Sequence, residues 1–128
     1  MIASGAYNYI NVLEKGLDAS WTRNSLISNN IANVDTPGYK RKDMRFEEYL
    51  SEAVSGGFSL DDDIANVDLE SLNGMTYVDY GTVDYRLDKN NVDIDTENVE
   101  LAKNQIKYNT MLDSVSQEFG RLNMVIKK

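Results

Sequence analysis

Neither cysteine nor histidine occurs among the 128 residues. Without cysteine there is no disulfide and no thiolate metal site. Without histidine the chain lacks the commonest general base and the commonest zinc ligand, and serine–histidine and cysteine–histidine nucleophile systems are excluded. Carboxylate, lysine and tyrosine chemistry stays open, but there is no phosphate-binding glycine loop and no pattern that brings two carboxylates into a cleft. The expectation is a protein that is not an enzyme and needs no cofactor or metal. Pro37 is the single proline, which excludes a proline-rich linker. No stretch approaches the roughly 20 apolar residues of a membrane span, so direct membrane insertion is not expected. A cleaved signal peptide is not expected either. Residues 1–15 have no basic start and no apolar stretch, being interrupted by Asn8, Asn11 and Glu14. Basic residues number 13 against 21 acidic ones, a net charge of −8. That balance argues against a nucleic-acid partner and favours repulsion between copies.

What is present is concentrated at the two ends. Over residues 4–33, steps of three and four give Ile10, Leu13, Leu17, Ser20, Asn24, Ile27 and Ile31, with Trp21 beside the row. This is a helical seam with two polar breaks, which can fix register at some loss of stability. From residue 98 the same stepping gives Leu101, Gln105, Tyr108, Leu112, Val115, Phe119, Leu122 and Ile126. Asp93, Asp95 and Glu97 mark the start of this second helix, with Asp93 or Asp95 as its cap. Arg121, Lys127 and Lys128 suit its far end. Burying one such stripe falls short of the entropy of ordering the helix, so each stripe needs another, in the same chain or a neighbour. The expected class is mainly α: 1–33 and 92–128 as long helices pairing in a coiled coil, and 34–91 as a small irregular or β-hairpin middle.

The middle carries nine acidic residues over 51–91 against Arg86 and Lys89. Val83, Tyr85 and Leu87 alternate with Asp84 and Arg86, so a hairpin about Gly81 is expected within 76–87. Residues 56–74 read as an acidic loop. Asp61-Asp62-Asp63 lacks the glycine and glutamate spacing of a calcium loop, Asn66 and Leu72 standing at the sixth and twelfth places. The tyrosines, among them Tyr7, Tyr9 and Tyr108, fit packing better than catalysis.

The most specific local feature is the joint after the first helix: Asn29, Asn30, Asn33, Val34, Asp35, Thr36, Pro37, Gly38 and Tyr39. Asn33 can leave a helix in the left-handed conformation. Proline followed by glycine suits a type II turn, which would present Tyr39 outward. Lys40, Arg41, Lys42 and Arg45 follow as a basic cluster. It reads as a solvated turn or as a complement to the acidic middle of this chain or a neighbour.

The run from Ser28 through Asn30, Ile31, Ala32, Asn33, Asp35, Thr36, Pro37, Gly38, Tyr39, Lys40 and Arg41 resembles the signature of bacterial flagellar axial proteins of the rod and hook group. Asn90-Asn91-Val92-Asp93-Ile94-Asp95-Thr96-Glu97, then Ala102-Lys103-Asn104-Gln105 and Tyr108, resembles the flagellar basal-body rod family, proximal rod group. The two blocks cover about half the chain, in the right order. Lys89 stands where the family pattern leads one to expect glycine. The resemblance implies a self-assembling subunit of the periplasmic rod, exported by the flagellar type III apparatus. Its implied partners are itself, other rod proteins, the adaptor at the inner-membrane ring and the export gate. It also implies an export-gate motif, a phenylalanine and a hydrophobic residue four places on, which Phe46 and Leu50 fit; the plainer reading is one face of a short helix. A soluble cytoplasmic helical adaptor or secretion chaperone would share the size, acidity and heptads without needing the Thr36-Pro37-Gly38-Tyr39 joint.

Overall fold

A computed structural model describes residues 2–55, 57, 59–81 and 86–127, with side chains from residue 7 onward. Two long helices dominate: α1, Ile2–Ala32, and α4, Ile94–Ile126. Between them lie β1 (Lys42–Arg45), α2 (Glu47–Val54), α3 (Leu60–Ala65) and β2 (Met75–Val78). Asp93 caps α4, its carboxylate accepting from the amides of Asp95 and Thr96, and this stabilises an end with unpaired donors.

Helices α1 and α4 pack antiparallel along most of their length. Asn30 meets Glu97 at one end, Asn104 donates to the Ser20 carbonyl at 2.8 Å in the middle, and Ile10 meets Leu122 at the other end. Gly16 allows the close approach, since a Cβ there would lie 2.6 Å from the Met111 sulfur.

The long helices fall where the heptads place them, but the seam on α4 is turned. Leu101, Tyr108, Val115 and Leu122 are buried or half-buried, as are Ile10, Leu13, Leu17, Ile27 and Ile31 on α1. Leu112, Phe119 and Ile126 stand outside the contact, at 44%, 49% and 75% exposure. In the seam, Asn104, Met111 and Glu118 stand where Gln105, Leu112 and Phe119 were expected, each one residue earlier. Both rows share every second position, so apolarity alone selected the wrong partner row. What decides it is that Asn104 reaches a backbone acceptor and Met111 fits over Gly16.

The middle packs on the other side of α1. Val12, Ala19, Met44, Phe46, Ile64 and Leu72 form the main core cluster, with Tyr49, Leu50 and Val54 against it. The sheet has two strands, with β1 antiparallel to β2 and Met44 opposite Thr76. The strand at 75–78 thus pairs with the segment after the turn. Val83 and Tyr85 of the hairpin expected about Gly81 lie outside the described residues. The acidic run expected as loop is the first turn of α3, where Ser59 accepts from the Asp62 amide and the three aspartates favour a helix N-terminus. Tyr9 reaches across from α1 to Asp61 at 2.5 Å.

A forked ion pair joins α1 to α2, with Arg23 donating to both Glu47 oxygens at 2.6 and 2.7 Å. The Arg23 guanidinium holds the Glu47 carboxyl at about 2 against an ordinary 4.5. A folded value depressed this way adds stability that is present above pH 4.5 and lost as pH falls toward 2.

Two outcomes are expected. Leu72 is 2% exposed, so Leu72→Ala lowers unfolding stability by about 2–5 kcal/mol in urea titration, while Leu87→Ala, at a fully exposed site, leaves the midpoint unchanged. Glu47→Gln lowers the urea midpoint modestly at pH 7, since the pair is half exposed. That difference closes between pH 4.5 and about 2; a difference that persisted at pH 2 would assign the effect to packing.

Candidate functional site

The two sequence blocks meet in one buried polar knot. Asn30 and Glu97, each at 0% exposure, are its centre. Asn30 sits in the last turns of α1 and Glu97 in the first turn of α4. The Asn30 amide donates to Glu97 at 3.1 Å and to the Lys42 carbonyl at 2.8 Å, and its oxygen accepts from the Lys42 amide at 2.8 Å. A carboxamide serves here because it carries a donor and an acceptor on one planar group. It pairs with the start of β1 as a neighbouring strand would.

Arg41 supplies the positive charge. It donates to Glu97 at 2.7 Å, Asp79 at 2.9 Å and Asp43 at 3.3 Å. Burial opposes its charge, but the hydrogen bonds to Glu97 and Asp79 hold the guanidinium protonated well beyond its ordinary range. One cation thus ties the sheet to α4. Of the basic cluster, Arg41 meets Asp79 in the acidic middle, as charge complementarity within the chain would have it.

Two further asparagines close the joint. Asn91 accepts from the Arg41 amide at 2.7 Å and donates to the Asp79 carbonyl at 2.7 Å. Asn90 donates toward the carbonyls of Asn33, Val34 and Thr36 at 2.8, 3.0 and 2.9 Å, gathering the orphan acceptors at the end of α1. Before them, Lys89 adopts φ 62, a conformation that costs a side chain about 1–2 kcal/mol and that glycine takes freely. The lysine is tolerated there, and its carbonyl accepts from the Lys40 ammonium.

The turn residues divide between structure and surface. Gly38 has φ 73 and the Tyr39 amide bonds the Thr36 carbonyl at 3.2 Å, as a type II turn requires. Asp35, Thr36, Pro37 and Gly38 form an exposed tip. Asn33 leaves α1 without a positive φ; its amide instead bonds the Asn29 carbonyl at 2.8 Å. Tyr39 is not presented outward. It is half-buried, and its hydroxyl donates to Asn30 at 3.0 Å. Burial, and then the nearby Glu97 carboxylate, push that hydroxyl above its ordinary value, so it remains a neutral donor.

Sequence reasoning missed Arg41, Asp79, Asn90, Asn91 and Glu97 as one site. The available signal was that both family-like blocks hold polar residues at fixed positions far apart in sequence. Such residues commonly meet in a shared network. The export-motif pair lies elsewhere: Phe46 is buried in the main core and Leu50 packs beside it, its amide bonded to the Phe46 carbonyl. The knot has no nucleophile poised against a base. Its chemistry is the clamping of backbone.

A family model described as "Flagella basal body rod protein" matches residues 10–40, the half of the knot that α1 and the turn supply. The flagellar basal body rod protein FlgB of Bacillus subtilis is 35% identical over 115 residues, covering 89% of each chain. The chain belongs to the FlgB family of flagellar basal body rod proteins. The FlgB of Borrelia hermsii is 35% identical, covering 92% of this chain and 95% of that one. The FlgB of Borreliella burgdorferi is 34% identical, covering 87% and 90%. Matches over 87–92% of the chain take in both the turn and the start of α4, so likeness to FlgB extends over both halves of the knot.

Arg41→Ala leaves Glu97 buried beside no cation and is expected to cost about 3–5 kcal/mol in chemical unfolding. Arg41→Ala combined with Glu97→Ala should cost clearly less than the sum of the single changes. A strictly additive cycle would show that the two side chains do not act as a pair.

Proposed function

We propose that this rod-family chain self-assembles by packing its α1–α4 pair side by side with neighbouring copies and other rod proteins. The observation that carries this reading is the row Leu112, Phe119 and Ile126. It repeats every seven residues along α4, and α1 leaves it uncovered. A stripe of that spacing beside an existing helix pair is the surface on which a further helix packs. The knot contributes by fixing the angle at which the middle leaves the pair, so every subunit presents the same outline.

The likeness to rod proteins favours a place in the periplasmic rod, reached through the type III apparatus, with the adaptor at the inner-membrane ring among its neighbours. Phe46 and Leu50 are the proposed contact with the export gate. Both pack in the folded core, so the gate would read them on an unfolded chain. A soluble adaptor or secretion chaperone is the weaker reading, because the curated relatives are named rod proteins along nearly their whole length.

Leu112→Asp is expected to keep helix content and thermal midpoint while abolishing incorporation into basal bodies, because it charges an exposed stripe. Leu122→Asp, inside the pair, is expected to unfold the chain. Circular dichroism and the subunit content of purified basal bodies check both. Normal incorporation of Leu112→Asp would overturn the packing proposed here.

A further inference from the structure

Glycine follows asparagine once in the sequence, at Asn73-Gly74. The pair lies just before β2, in neither helix nor strand, and Asn73 is exposed. Two partners hold its carboxamide. The Lys15 ammonium, on α1, donates to Oδ1 at 3.2 Å, and Nδ2 donates to the Glu70 carbonyl at 2.5 Å. Asn24 and Asn29 in α1, and Asn104 and Asn109 in α4, are placed differently. Within a helix the amide that follows each is committed to the hydrogen-bond ladder.

Gly74 is fixed by packing. A Cβ there would run into the Met44 methyl, and Met44 is buried in the main core. The residue that packing requires is also the one whose amide nitrogen is least shielded, because no side chain stands beside it.

We propose that Asn73-Gly74 is a site of spontaneous covalent modification and that Lys15 promotes it. Hydroxide takes the Gly74 amide proton, and the nitrogen attacks Asn73 Cγ. As the new C–N bond forms, Oδ1 takes up negative charge against the Lys15 ammonium, the placement that stabilises a developing oxyanion. The Cγ–Nδ2 bond then breaks. Nδ2 takes a proton from water and leaves as ammonia, and hydroxide is returned. Water opens the resulting succinimide ring at either carbonyl. Opening at Cγ leaves aspartate. Opening at the main-chain carbonyl leaves isoaspartate, with an extra methylene in the backbone.

Both products disturb the same place. An aspartate oxygen in the position of Nδ2 faces the Glu70 carbonyl with no proton to share. The isoaspartate methylene lengthens the link between Leu72, buried in the main core, and Gly74, seated against Met44. Modification therefore loosens the hold of the middle segment on α1.

The test uses the full-length chain, held warm at neutral pH and digested at intervals. Peptide masses report the conversion of amide to acid, and enzymatic methyl transfer reports isoaspartate. Conversion is expected at Asn73 ahead of every other asparagine. Lys15→Ala should slow it roughly two- to fivefold, the effect of an exposed partner, and Lys15→Arg should keep the rate. Lys15→Met serves if Lys15→Ala loses helix content. In urea, where the fold is gone, Lys15→Ala and the parent chain should convert equally. Conversion no faster than at Asn29, or a folded-state rate that is unchanged or raised when Lys15 is removed, would overturn the proposal. Asn73→Asp, which copies one product, is expected to lower the urea midpoint, and an unchanged midpoint would overturn the loosening.

Discussion

The arrangement depends on the pairing of Arg41 with Glu97 around Asn30. A carboxylate with no solvent exposure is tolerable only where it is paired and hydrogen-bonded, and Glu97 finds Arg41 on one oxygen and Asn30 on the other. Those donors come from α1 and from the segment entering β1. Satisfying one buried charge therefore fixes three elements relative to one another. Asn90 and Asn91 extend the principle to the backbone, where the orphan carbonyls ending α1 and the edge of the sheet become acceptors for side-chain amides. An apolar joint of equal size would pack as well but would not specify which carbonyl faces which amide.

That division explains what could be read in the sequence. Helix periods, the Asp93 cap and the proline–glycine turn are local, and they appear where the residues put them. The strand at Met75–Val78 was visible from its β-branched and aromatic residues, but its partner, Lys42–Arg45, was not. That partner is three charged residues and Met44, and it becomes a strand by pairing with Met75–Val78, with Asn30 holding the Lys42 backbone and the Asp79 amide bonding the Arg41 carbonyl just before it. The short helix α3 was hidden for a related reason, since three aspartates look like loop until Ser59 is seen capping them. Tyr39 was expected to face solvent because turns do, and it turns back because Asn30 still has an acceptor to offer.

The core has a consequence for the surface of the single chain. Phe46 and Leu50 pack beneath α1 with Met44, Ile64 and Leu72. The middle segment thus covers one face of α1 while α4 covers another. A net charge of −8 adds repulsion between copies. The fold thus turns Phe46, Leu50 and their neighbours inward, while Leu112, Phe119 and Ile126 stay exposed on α4 together with apolar side chains elsewhere, Trp21 and Ile106 among them.

Those outward rows are useful only if α4 has one register. A seam of heptads alone permits a slip of seven residues with little change in apolar contact. Three features along α4 remove that freedom. Glu97 must meet Arg41 and Asn30, Asn104 must meet the Ser20 carbonyl, and Met111 must lie over Gly16. A slipped helix would bury Glu97 without its cation and drive Met111 against a side chain. Asn104 shows what this specificity costs, because its side-chain oxygen is buried without a donor. Leucine there would make the seam more apolar and less particular. By pinning α4, the polar positions in the seam set where Leu112, Phe119 and Ile126 stand relative to α1, and the proposed packing of neighbouring copies rests on that row.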